Sequence, residues 1–214
     1  MKFIACLRLE HLLIACALVM ASSGCSPSAT NTPANSPASN AQPTAAQNVT
    51  PPAVDGQRAE FADYEFTLPK SFEKSEVPDG TVPPNMRIGV WKSMIDESTP
   101  AALFLANSIT DAKNAQSASK NMRQALVNYS AGTTDSMGIK IQNRGPTETT
   151  EINGIPFTHF KWLAQRSDGK PLGGTVHGFV EGDATTMLIH IVFEGDAETV
   201  MGEMQQHMAS FRRK

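Results

Sequence analysis

Apolar positions fall into three regimes along the 214 residues. Leu12 to Ala21 is an unbroken apolar run, Ser26 to Asp55 carries no aromatic side chain, and regular periods begin at about residue 57. Tyr64, Phe66 and Leu68 alternate with Glu65 and Thr67, the period of a strand with one buried face, and Pro69 ends it. Met86 to Ser93 predicts a second strand around Ile88 and Val90. Ala101 to Ile109 is almost continuously apolar, as a central strand covered on both faces would be. The period then changes: Ala115, Ala118, Met122, Ala125, Leu126 and Tyr129 lie three or four apart on one helical face. Asp111 is placed to cap that helix and Gly132 to stop it.

Strand patterns return at Ile139 and Ile141 and again over Thr147 to Ile152, where Asn153-Gly154 predicts a tight hairpin because both residues tolerate positive φ. Phe157 to Ala164 is the return strand, Ser167 to Lys170 a turn, Thr175 to Glu181 the next strand, and Gly182-Asp183 another turn. Met187 to Phe193 predicts the last strand. Asp196 can cap a closing helix whose apolar face is Val200, Met201, Met204, Met208 and Phe211. An antiparallel sheet of about six or seven strands covered by two helices satisfies every apolar surface, so the expected fold is an α+β, α/β sandwich over residues 57–214.

That element order is similar to the PsbP-like fold, and more narrowly to DcrB-like bacterial lipoproteins. The residues that carry the likeness are Tyr64-Glu65-Phe66-Thr67-Leu68-Pro69, Glu151-Ile152-Asn153-Gly154-Ile155-Pro156 and Met208-Ala209-Ser210-Phe211. These are strand, turn and helix-end signals, which identify a scaffold and name no chemistry. The resemblance implies an accessory, assembly or binding module rather than an enzyme.

The segment before the domain supplies an address. Lys2 and Arg8 precede the apolar run, and Ala21-Ser22-Ser23-Gly24-Cys25 resembles a lipobox, although Ser22 stands where Leu is commonest. Residues 1–24 are therefore expected to be a lipoprotein signal peptide, with Cys25 the acylated, palmitate-bearing first residue of the mature chain. The apolar run is about half of the ~20 residues that a spanning helix needs. Attachment of several acyl chains would hold the protein on the bilayer permanently. Ser26 follows the cysteine where Asp would signal inner-membrane retention, so the resemblance implies the outer membrane of a bacterial cell envelope, facing the periplasm. Residues 25–56 form a Pro/Ala/Ser/Asn linker, which as a flexible coil spans on the order of 30 Å.

Charge and cysteine count narrow the partners. Cleavage removes a net positive charge from a chain of net −3, and Arg212-Arg213-Lys214 is the only basic cluster, so nucleic acid is not an expected partner. The cluster's position fits cations at a helix C-terminus. Cys6 and Cys16 leave with the signal and Cys25 is blocked, which excludes a disulfide. The expected partners are the bilayer, through Cys25, and a protein of the envelope.

Chemistry is sparse. No residue set points to a cofactor, and neither a Gly-x-Ser-x-Gly elbow nor a phosphate-cradling Gly-Lys-Ser/Thr loop occurs. His159, His177 and His190 fall on three strands. A two-residue turn at Asp168-Gly169 would pair His177 with Phe160 and His159 with Gly178, sending the imidazoles to opposite faces, so no metal site is expected; a bulge would reverse that, and a periplasmic small-ligand or metal-binding protein is the alternative reading. His207 is expected to face solvent beside Met208. Trp162 shares a strand face with Phe160 and Ala164, the pattern of a core residue. The candidate contacts for a ligand or partner are Trp91, as a half-exposed aromatic anchor, and His177 and His190, as the lining of a cleft between sheet and helix.

Overall fold

The computed structural model describes residues 55–214 apart from Asp79, Ser167, Asp168, Gly195 and Asp196. The signal peptide, Cys25, most of the linker and the Asp196 cap lie outside the described residues. No helix among the described residues is long and apolar enough to cross a membrane.

Eight strands form the central antiparallel sheet. These are β3 (Phe72–Ser75), β4 (Met86–Asp96), β5 (Thr99–Thr110), β6 (Lys140–Arg144), β7 (Glu148–Ile152), β8 (Ile155–Gln165), β9 (Pro171–Glu181) and β10 (Ala184–Val192). Their spatial order is β3-β4-β5-β10-β9-β8-β6, and β7 pairs with the other half of the same edge of β8. A second, three-stranded sheet has the order β1 (Gln57–Phe61), β2 (Tyr64–Leu68), β11 (Arg212–Arg213). Three helices complete the described fold: α1 (Ala112–Lys120), α2 (Met122–Ser136) and α3 (Ala197–Met208).

The alternation of side chains across β5, β9 and β10 gives the central sheet two apolar faces. One packs Ala102, Phe104, Leu188, Phe179 and Phe157 against Phe66 and Leu68 of the small sheet and against Met204 and Met208 of α3. The other packs Leu103, Leu105, Ile189, Val176 and Trp162 against Leu126 and Tyr129 of α2. The result is three layers, with the central sheet in the middle. Fully burying a side chain of this size contributes ~1.5 to 3 kcal/mol, so these two contact layers hold the domain together.

The expected sandwich of antiparallel sheet and helices is the architecture found, with differences that have local causes. The single helix expected from Asp111 to Gly132 is two. Asn121 leaves the helical region (φ −149°, ψ 67°), and its side chain accepts a hydrogen bond from Gln124 N to start α2. α2 then continues through Gly132 to Ser136. Asp111 does cap α1, with Asn114 N donating to its carboxylate at 2.7 Å. Asp111→Ala is expected to cost ~0.5 to 2 kcal/mol, read as a lower urea midpoint with unchanged slope.

The Asn153-Gly154 hairpin forms as expected, with φ of 49° and 78° at the two residues. β1 and β3 were not legible as strands. β1 is mostly polar, and only two residues separate Pro69 from β3. The basic end of the chain is a strand rather than a helix terminus. α3 stops at Met208, and Arg212 and Arg213 pair with Glu65 and Tyr64 of β2. Arg212 Nε donates to Glu65 at 2.6 Å, which holds the Glu65 carboxyl below the usual carboxylate range, and Lys214 reaches Glu60 at 3.2 Å.

Candidate functional site: a histidine-lined cleft

β8 and β9 meet with His159 directly opposite His177, one residue away from the register that a two-residue turn would impose. The loop is longer by one residue. Gln165 pairs with Pro171, Arg166 N donates to Lys170 O, and Gly169 takes φ of +83°. A three-residue hairpin connection closes with its extra residue in the left-handed region, which Gly adopts without strain. The odd count reverses the expected split. His159 and His177 share one face, and His190, across from Thr175 on β10, points to that face too.

The two paired imidazoles stack, with centroids 5.1 Å apart and planes at 27°. Phe157 meets the edge of His177 at 6.2 Å. His159 Nε2 is hydrogen-bonded to Thr150 Oγ1 at 3.0 Å, and Glu148 of β7 stands opposite His159 in the ladder. Between β6 and β7 the chain bows out at Gly145-Pro146, where Gly145 N donates to Lys161 O. That bow, the stretch of β8 between its β6 and β7 pairings and the side of α3 enclose a cleft of about 260 Å³, lined by Glu148, His159, Lys161, Thr175, His177 and Gln205 among others.

The floor of the cleft is polar and incompletely satisfied. Thr175 is buried, and its hydroxyl has no hydrogen-bond partner. Burial depresses the pKa of His177 to about 3, with His159 and His190 adding to the effect, so the ring is neutral. Behind the floor, His190 is 1% exposed and both of its ring nitrogens lack partners, and its pKa falls to about 3 through burial and then His207. His207 of α3 is buried rather than solvent-facing, with Nδ1 unpartnered, because the helix turns it down against the sheet side near Gly56.

The other candidates distribute differently. His177 lines the cleft, whereas His190 sits beneath it, 6.1 Å from Phe72, and does not reach the cavity. Trp91 is not a half-exposed anchor. It is 3% exposed and packs on Phe66 (5.5 Å) and Phe104 (5.8 Å), because the β1–β2 hairpin folds over the sheet face that carries it. Lys161, Thr175, Glu148 and Gln205 were missed; counting the β8–β9 loop as three residues would have brought the first two beside His159 and His177. Among the described residues no group of three or more His, Cys, Asp or Glu side chains is placed to hold one metal ion.

A second polar cluster lies at the far end of β9. The Tyr64 hydroxyl donates to Glu181, which also accepts from Arg213 Nε at 2.7 Å. Burial and the Glu181 carboxylate push the Tyr64 hydroxyl well above its usual pKa, while the bond from Tyr64 lowers that of Glu181. All three groups are satisfied by one another, so this cluster joins the two sheets.

No family model and no curated protein matches the sequence. Solved structures do. The chain is similar over 74% of its length to the solution structure of cyanobacterial PsbP from Synechocystis, covering 92% of that chain at 13% identity and a TM-score of 0.49. It is similar over 75% of its length to LpqN, a Mycobacterium tuberculosis protein described as involved in cell envelope biogenesis, covering 86% of that chain at 11% identity and a TM-score of 0.44. A Bacteroides thetaiotaomicron protein matches 74% of the chain at 11% identity and a TM-score of 0.45, and the chain spans about half of that protein's length. These are partial likenesses at low identity.

Proposed function

We propose that this protein is a lipid-anchored binding module of the bacterial cell envelope, which takes a ligand into the cleft between α3 and the β8–β9 ladder. One observation carries the reading: the Thr175 hydroxyl is buried in the cleft lining without a partner. Leaving such a group unmatched costs ~1 to 3 kcal/mol, a cost that a bound acceptor or donor would remove. Binding is proposed rather than catalysis because the hydroxyl of the described lining, Thr175 Oγ1, is hydrogen-bonded to no base that would activate it.

Acylation of Cys25 would hold the module on the outer membrane, with the linker of residues 25–56 letting it reach into the periplasm. A partner protein of the envelope is a second reading, favoured by β7, whose Glu148 to Glu151 are all exposed on the outermost strand of the central sheet. A strand edge of this kind accepts an added strand.

Two experiments test these parts separately. Cys25→Ala is expected to abolish acyl labelling and move the protein from the membrane fraction to the soluble one; unchanged fractionation would remove the anchor. A photo-crosslinking residue at Gln205, on the cleft rim, is expected to capture a ligand or partner in cells that the same probe at exposed Ile95 does not. Identical adducts from both positions would count against the cleft.

A further inference from the structure

Thr175 is the midpoint of a donor set. Its strand partner on β8 is Lys161, its strand partner on β10 is His190, and its neighbour two residues along the same face is His177. Lys161 and His159 likewise share one face of β8, so the cation, the hydroxyl and the neutral imidazole all line a single cavity. No acidic side chain among the described residues forms an ion pair with Lys161. Glu148, the one carboxylate of the described lining, stands across the ladder from His159 rather than from Lys161.

An ammonium, a hydroxyl with a free proton and one imidazole N–H are donors only or can act as donors, and together they suit an acceptor with two oxygens. The charge balance sets its valence. One unpaired cation matches a single negative charge, and Glu148 at the rim disfavours a dianion such as phosphate. Size sets the rest: about 260 Å³ lies below the range of drug-sized pockets, so the body of the ligand is small, packed between Pro146 and the side of α3.

We propose that the cleft binds a small monocarboxylate, its two oxygens held by Lys161 Nζ, the Thr175 hydroxyl and the His177 ring N–H, and that binding is accompanied by proton uptake on the imidazole. This deepens the binding-module reading and rests on it. The proton follows from surroundings. His177 is faced by His159 and Lys161 from β8, His190 from β10 and Glu148 from β7, while α3 brings Glu203 and His207 to the same side. Of these, His159 and His190 oppose a charge on the His177 ring, whereas a carboxylate bound beside it favours one. Ligand affinity therefore rises as pH falls.

Calorimetric titration of the full chain in detergent, in a carboxylate-free buffer, with acetate, butyrate and benzoate as probes, tests this. Saturable binding of at least one probe is expected, tightening about 5-fold to 10-fold between about pH 7.5 and about pH 6. Lys161→Gln should weaken it at least about tenfold at both pH values, and His177→Gln should abolish the tightening on acidification. Circular dichroism establishes that each variant is folded, and Lys161→Arg, which keeps the charge, should retain most of the affinity. Butylamine and inorganic phosphate are the opposing probes. Preference for either over the carboxylates, affinity independent of pH, or no saturation by any carboxylate up to about 10 mM overturns the proposal. Capture of a different ligand from Gln205 in cells would then leave the cleft as a binding site and exclude only its carboxylate chemistry.

Discussion

Gly174→Ala is expected to cost about 3 kcal/mol or more, lowering the thermal midpoint by roughly 6 to 12 °C. A Cβ at this position would lie 2.1 Å from the carbonyl oxygen of His190 and 2.5 Å from the Trp162 ring. Neither neighbour can move freely: the first is the backbone of the adjacent central strand, and the second is the largest fully buried side chain, 1% exposed. The strain must therefore spread into the β9–β10 ladder. Gly132→Ala is the matching control. Its added methyl meets nothing within 4 Å and lies inside α2, so a gain of ~0.5 to 1 kcal/mol is expected there. If thermal melts showed the two substitutions to be equivalent, the close packing of Trp162 across β9 would be wrong.

Acid is expected to weaken the fold between about pH 6.5 and pH 4.5, before most carboxylates titrate. His177 and His190 are neutral in the folded state, with pKa values of about 3, and regain their ordinary basicity on unfolding. Their contribution is complete above the unfolded pKa and falls as pH drops, because the unfolded chain then binds more protons. Each ring removes up to about 1.4 kcal/mol per pH unit, so the pair removes on the order of 4 kcal/mol by pH 5. His159 and His207, also lowered by burial, act in the same direction. Glu65 and Glu181 are held low by their partners and lose their contribution only at lower pH, which isolates the histidine window. Denaturant midpoints measured across this range should fall steeply for the native chain. His190→Leu, which removes two unpartnered nitrogens, should flatten the profile by about half. A profile parallel to that of the native chain would show that His190 is not the buried neutral group described.

Much of the scaffold was legible because its signals are local. The alternation in Tyr64 to Leu68, the Asp111 cap and the Asn153-Gly154 turn each depend on a few adjacent residues, and each forms where expected. The helix break at Asn121 was hidden because Ala118, Met122 and Ala125 keep their apolar spacing straight through it. The cleft was illegible for a sharper reason. Strand side chains have a period of two, so one residue in the Arg166–Lys170 loop decides whether His159 and His177 meet or face apart. Composition in that loop does not distinguish a two-residue from a three-residue connection. The burial of Trp91 and His207 is not written in their own segments, because each is covered by a layer distant in sequence: the β1–β2 hairpin in one case and the sheet side beneath α3 in the other.

The small sheet has a consequence for biogenesis. Its first strand starts at Gln57 and its last is Arg212–Arg213, with β2 held between them by Glu65 and Tyr64. Hydrophobic cover for Phe66 and Trp91 thus depends on residues separated by most of the polypeptide. A chain threaded through a translocon from its N-terminus would hold that seam open until Arg213 had emerged, leaving its aromatic rings exposed to holdase chaperones throughout transit.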